Sequence, residues 1–276
     1  VKSLRFDDGS MLPMLGMGTW NALPGEVGAA VTEALRLGYR HIDCAAIYGN
    51  EAEIGEALNA ALQAGLVSRE QLWITSKLWN NAHAPEDVEP ALKRTLVDLR
   101  LDHLDLYLIH WPVAFRSGVL LPETAADLVA LEDLPLAATW EALAGMVERG
   151  LCRHIGVSNF GVATLGALLE QARLRPAVNQ VELHPYLQQN ELLAFCRARG
   201  VHVTGYAPLG SGGRAAHLRP RGTGAAAGPH DHGHRRAPWP HPGPGAAALG
   251  PAARHRRDPQ VGEPGAAGRE PRGRRR

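Results

Sequence analysis

A short aliphatic run, a turn, and then an amphipathic segment closing on Gly or a basic residue recur along this chain as far as Tyr206, and few architectures accommodate that repeat. The strand-like runs are "LGMG", "RHID", "LWITSK", "LDLYLIH", "HIGVSN", "AVNQ" and "VHVTGY". Between them, segments such as "GEVGAAVTEALRLG", "NEAEIGEALNAALQAG" and "PEDVEPALKRTLVDLR" carry apolar residues at helical three- and four-residue spacing. Strands that alternate with helices at this length require right-handed crossovers and a parallel sheet. Seven such strands predict an α/β chain, a (β/α)8 TIM barrel whose last βα unit is missing or garbled. A doubly wound sheet is the competitor, but no GxGxxG follows the first strand to support it. Ahead of the barrel, "LRFDDGSMLP" sets two apolar runs around Asp8-Gly9, which predicts an N-terminal β-hairpin with a type I′ turn, placed to plug the barrel bottom.

The repeat stops near Gly212. Residues 213–276 hold 13 Arg against 4 acidic residues, together with 12 Gly, 13 Ala and 10 Pro, which leaves too few large apolar side chains to offset the entropy of ordering. The chain therefore divides into a barrel over 1–212 and a Gly/Ala/Pro/Arg-rich tail over 213–276 that is expected to be disordered. An Arg-rich segment can bind RNA through charge, but the only aromatic residue of this one is Trp239, and no nucleic-acid partner is expected. No run approaches the roughly 18 apolar residues of a membrane span, and the first residues lack the features of a signal peptide. Cys44, Cys152 and Cys196 form no CxxC pair, which fits a reduced cytoplasmic location better than a disulfide framework, and no metal site is expected.

In a barrel of this kind the chemistry sits where the strands end, because the loops there converge over one mouth. The strand ends read Asp43, Lys77, His110, Ser158 with Asn159, Gln180 and Tyr206, and Tyr48 follows Asp43 in the next loop. Each alone is as well explained by a salt bridge or a solvated cap; the ring of them is not. A tyrosine of pKa about 10 is a weak proton donor at neutral pH. A cation within hydrogen-bond range favours the phenolate, so Lys77 is expected to lower the Tyr48 pKa, with Asp43 holding the ammonium charged. A neutral His110 would donate to a substrate oxygen. Such a group can protonate a carbonyl oxygen as hydride arrives at its carbon.

The motifs "GMGTW", "HIDCAAIYGNE", "TSKLWN", "DLYLIHWP", "IGVSNF", "VNQVELHPYLQQ" and "GYAPLGS" occur in an order and spacing that resembles the aldo-keto reductase family, from about Phe6 to Ser211. The resemblance implies a barrel that binds NADP(H) across its mouth and reduces aldehydes and ketones to alcohols, with Asp43, Tyr48, Lys77 and His110 as the catalytic tetrad. It places Ser158, Asn159 and Gln180 on the nicotinamide carboxamide, Tyr206 against the nicotinamide ring, Leu209 and Ser211 along the pyrophosphate, and Thr19 near the nicotinamide ribose. Trp20, Trp79 and Trp111 each adjoin one of these motifs, and three tryptophans at one mouth would form an aromatic substrate pocket. The segment 113–136 resembles the family's substrate-covering loop. The expected partner is a small carbonyl compound, the expected state a monomer.

Three competing readings follow. A strand-end Lys also suits a Schiff-base aldolase, but Asp43 would keep Lys77 protonated and unreactive. Family relatives include channel-associated subunits that keep the barrel and cofactor site, a non-enzymatic reading. The third concerns the tail. Asp258 to Val261 can be encoded GAT CCC CAA GTC, and starting one base later gives ATC CCC AAG TC, or Ile-Pro-Lys-Ser, a motif that resembles the family's eighth strand. The tail is thus expected to be the family's C-terminal segment in the wrong frame, leaving a chain that is unstable or catalytically inactive for want of its cofactor-gripping residues.

Overall fold

The computed structural model describes residues 2–209. The expected tail over 213–276, its frame and the eighth strand it bears on, together with Ser211, lie outside the described residues.

The chain opens with an antiparallel hairpin, β1 (Ser3–Arg5) and β2 (Met11–Pro13), in which Ser3 faces Pro13 and Arg5 faces Met11. Its turn differs from the type I′ expectation. Gly9 has a φ of +86° while Asp7 and Asp8 stay on the negative side, and the Gly9 amide donates to the Phe6 carbonyl at 3.0 Å. This is a type I turn followed by a glycine bulge, the three-residue alternative that spares Asp8 the left-handed conformation a type I′ turn demands. The hairpin does close the barrel bottom. Phe6 stacks on Trp73 and His154, with centroids 5.5 Å and 4.6 Å away, and meets His202 edge-on at 5.1 Å.

The barrel then follows as β3 (Met17–Gly18), α1 (Val27–Arg36), β4 (His41–Asp43), α2 (Glu51–Gln63), β5 (Trp73–Leu78), α3 (Pro85–Leu99) and β6 (Leu104–Ile109). A small antiparallel pair, β7 (Ala114–Phe115) and β8 (Leu128–Val129), interrupts the connection to α4 (Leu136–Glu148). The rest is β9 (Cys152–Ser158), α5 (Val162–Gln171), β10 (Val178–Glu182), α6 (Asn190–Arg199) and β11 (His202–Tyr206). The barrel strands form one parallel sheet of seven in the order β11, β10, β9, β6, β5, β4, β3. Every expected strand is present, and so is the expected alternation of a (β/α)8 barrel. Among the described residues, β3 and β11 each pair with a single neighbour. A cavity of about 380 Å³ separates them, lined by Gly16 and Gly18 on one side, by Thr204 and Tyr206 on the other, and reaching Asp43 and Gln180.

Successive side chains of a strand point to opposite faces, and that parity sorts the residues. In β6, Leu106 and Leu108 join Leu12, Trp73 and Val178 in a small interior core, while Tyr107 and Ile109 join the larger core under the helices. In β5, Ile74 and Leu78 pack outward among the helices, whereas Lys77 reaches Asp43 across the interior. The helices supply the outer layer through stripes such as Val27, Val31, Ala34 and Leu35 of α1, each at most 5% exposed. Burial of these stripes, at roughly 25 cal/mol per Å² of apolar surface, is the main force holding helices to sheet.

Candidate active site

The inward parity that fills the barrel's lower interior with Leu106, Leu108 and Val178 continues upward into polar residues at the strand ends. Asp43 ends β4, Lys77 lies one residue before the end of β5, His110 follows β6, and Ser158 ends β9. Gln180 lies inside β10, and Tyr206 ends β11. Tyr48 comes from the loop after β4, at the end of a single 3-10 turn (Ala46–Tyr48) closed by Gly49 at a φ of +68°, a conformation glycine adopts without strain.

The four expected tetrad residues come together. Lys77 Nζ pairs with the Asp43 carboxylate, donates to the Cys44 carbonyl at 2.8 Å, and lies 3.4 Å from the Tyr48 hydroxyl. The Tyr48 and His110 rings meet edge-on with centroids 5.8 Å apart. Burial opposes the Lys77 charge, but the charge and hydrogen bond of Asp43 outweigh it and hold the ammonium above its ordinary pKa. Burial, followed by repulsion from Lys77, drives His110 well below the usual imidazole value, so it is neutral at pH 7. His110 Nδ1 is buried and without a partner among the described residues. Tyr48 departs from expectation. Lys77 does pull its pKa down, yet burial dominates and pushes the hydroxyl up to about 12. Desolvation outweighs the nearby cation in this barrel mouth.

The expected carboxamide-binding residues form a second connected group. Gln180 Nε2 donates to Asp43 Oδ2 at 2.7 Å, and Ser158 Oγ donates to the Gln180 carbonyl at 2.8 Å. Asn159 Nδ2 donates to the His110 carbonyl at 2.9 Å and to Ser158 Oγ at 3.1 Å, and the Tyr206 hydroxyl donates to Asn159 Oδ1 at 2.8 Å. Asn159 has a φ of +64°, which asparagine tolerates better than most residues. Thr19 is buried, its hydroxyl donating to the Asp43 carbonyl at 2.9 Å, and Leu209 is 87% exposed. Trp79 is buried against the tetrad, its ring centroid 5.2 Å from that of His110, and its indole N–H donates to the Leu120 carbonyl at 2.7 Å. That bond ties the 113–136 loop to the site. Trp20 and Trp111 are half-buried beside Thr19 and His110.

Sequence reasoning missed Glu51. This first residue of α2 is 4% exposed, accepting from Ser76 Oγ at 2.5 Å and Thr95 Oγ1 at 3.0 Å. Burial pushes its pKa up to about 7 against those two hydrogen bonds, from an ordinary 4.5. The folded chain thus keeps a proton that the unfolded chain releases. That contribution is fully present below pH 4.5 and is lost as pH rises through about 7, a change on the order of 3 kcal/mol. Urea unfolding at pH 5 and pH 8 should show this loss, and Glu51→Gln should flatten it; an unchanged slope in the variant would assign the pH dependence to other groups.

Comparison with known proteins bears on the family and the fold. The model of the Aldo/keto reductase family matches residues 14–238. An aldo/keto reductase of Synechocystis sp. is 56% identical over 216 residues, covering 78% of this chain and 66% of that protein. The human aldo-keto reductase family 1 member A1 is 54% identical over 209 residues, covering 75% of this chain and 64% of the relative. The chain thus spans about two thirds of the length of the curated relatives it matches. Among solved structures, the aldose reductase of Schistosoma japonicum superposes with a TM-score of 0.72 at 45% identity, covering 76% of this chain and 70% of that one. A Bombyx mori aldo-keto reductase solved in complex with NADP gives 0.68 at 37% identity, covering 75% of this chain and 66% of the other. Seven parallel strands whose ends gather Tyr48, Lys77, Asp43 and His110, in a sequence matched over this span, place the chain in the aldo-keto reductase family.

Proposed function

We propose that this chain reduces aldehydes and ketones to alcohols with NADPH, Tyr48 supplying the proton. The observation that carries the reading is the Tyr48 hydroxyl 3.4 Å from an ammonium that Asp43 keeps charged, beside a neutral imidazole. A hydroxyl pushed up to about 12 keeps its proton throughout the neutral range, and its transfer then depends on Lys77 stabilising the phenolate. As negative charge develops on a substrate oxygen, a Tyr48 hydroxyl bonded to it can pass that proton across, and Lys77 stabilises the phenolate left behind. The neutral His110 orients the carbonyl by donating an N–H from the other side.

The polar group around Gln180 suits a nicotinamide. A primary amide offers one acceptor and two donors, and Ser158, Asn159 and Gln180 present both kinds of atom within one hydrogen-bonded cluster. Tyr206, fastened to Asn159, supplies a ring face beside them. NADPH, when bound there, supplies the hydride. In this reading Thr19 lies near its ribose, Leu209 lies along its pyrophosphate, and Trp20, Trp79, Trp111 and the 113–136 loop shape the substrate pocket. The three cysteines, buried and free of disulfides, support action in the reducing cytoplasm. No helix among the described residues is long and apolar enough to cross a membrane.

The test is direct. The purified 276-residue chain should consume reduced nicotinamide only when an aldehyde is added. Tight NADPH binding without turnover across a panel of aromatic and aliphatic aldehydes would favour the non-catalytic barrel instead.

A further inference from the structure

Glu51 has no part in the chemistry above, yet it is a buried acid with both oxygens engaged. An acid in the first turn of a helix ordinarily serves that helix, by the macrodipole or by capping an amide. This one does not cap. Its acceptor bonds come from hydroxyls on two other elements, Ser76 of β5 and Thr95 of α3. Strand parity gives the first of these its meaning, since Ser76 faces outward toward α2 while its neighbour Lys77 faces inward toward Asp43. A single carboxyl is therefore joined to Tyr48 through Gly49 and Asn50, and to Lys77 through one peptide unit. The loop between is fastened at further points. Cys44 N donates to the Thr75 carbonyl at 2.8 Å, and Asn50 Nδ2 donates to the Thr19 carbonyl at 2.8 Å. What these bonds hold is a separation of 3.4 Å between Lys77 Nζ and the Tyr48 hydroxyl, close to the outer limit of a hydrogen bond, where a few tenths of an ångström decide whether the contact exists.

We propose that Glu51 is a positioning residue for the reaction: by anchoring the start of α2 on Ser76 and Thr95, it sets the Tyr48 hydroxyl against the Lys77 ammonium. This rests on Tyr48 being the proton donor, and two readouts separate the two ideas. The first needs no turnover. With 3-fluorotyrosine incorporated, the fluorine resonance of position 48, identified by its absence in Tyr48→Phe, should shift or split in Glu51→Ala and return to its original place in Glu51→Gln, which can keep one contact to each hydroxyl. The second is kinetic: Glu51→Ala should lower kcat by about 10- to 100-fold with little change in KM or in NADPH affinity, and Glu51→Gln should recover most of it. Should Glu51→Ala fail to fold, Ser76→Ala removes only the β5 contact and should move the same resonance. A resonance unmoved in folded Glu51→Ala, or in Ser76→Ala if that variant alone folds, overturns the proposal. A chain with no turnover in any form counts against the reductase reading, while the resonance still decides the role of Glu51.

Discussion

Tyr48→Phe should cut carbonyl reduction by about 10²- to 10⁴-fold while leaving NADPH affinity within a few fold. The substitution removes one oxygen and keeps the ring that meets His110 edge-on, so packing at the mouth is preserved. On the proposed mechanism the proton donor is lost. What remains is orientation by His110 and the field of Lys77, which together cannot supply a proton at the distance Tyr48 does. The loss should fall on kcat more than on KM, because the hydroxyl matters most as charge develops on the substrate oxygen. The measurement is steady-state kinetics alongside cofactor titration followed by fluorescence. Turnover within threefold of the parent would remove Tyr48 from the mechanism, and a matching collapse of cofactor binding would mean that the variant had lost its structure.

Lys77→Met should be the most destabilising single change at the site, by about 3–5 kcal/mol, besides abolishing turnover. Lys77 is 1% exposed and its partner Asp43 only 13% exposed at the side chain, so removing the cation leaves a carboxylate nearly out of water. Gln180 Nε2 still donates to Asp43, and that single neutral donor does not replace an ammonium. The Cys44 carbonyl also loses its donor. Neutralising the carboxylate should therefore recover part of the loss: Asp43→Asn with Lys77→Met should be more stable than Lys77→Met alone. Denaturant unfolding of the four members of this cycle measures the coupling. Additive losses would show that the two side chains do not depend on one another.

The polar cluster of Asp43, Lys77 and His110 is legible because its residues lie at or beside strand ends. In "LDLYLIH" the alternate positions Leu104, Leu106 and Leu108 lead to His110, and in "LWITSK" the alternate positions Trp73 and Thr75 lead to Lys77. Tyr48 was legible by its distance from Asp43. The tuning of Tyr48 was not, because desolvation depends on how many neighbours close over a group and a sequence does not carry that count; the outcome was a raised pKa where a lowered one was expected. Glu51 was hidden for a related reason. An acid opening a helix looks like any other, and only the packing of α2 on β5 and α3 turns its carboxyl away from solvent. The hairpin turn shows a third limit. Asp8-Gly9 signals a turn, but the neighbouring Asp7 allowed a three-residue loop that relieved Asp8 of a positive φ, and the two solutions differ by one residue of loop length.

The shared inward parity of Asp43, Lys77, His110, Ser158, Gln180 and Tyr206 bears on how such a chain can vary over descent. Inserting or deleting one residue inside β5 would turn Lys77 toward the helices and bring an outward neighbour, Ser76 or Leu78, into the mouth, exchanging the cation for a hydroxyl or an isobutyl group. The same holds for each strand that contributes to the ring. The loops differ among themselves: the one after β4 carries Tyr48 and must keep its length, whereas the segment between β6 and α4 carries its own small hairpin and meets the ring through the single bond from Trp79 to the Leu120 carbonyl. That segment can vary over descent while the count of residues in every strand of the ring stays frozen.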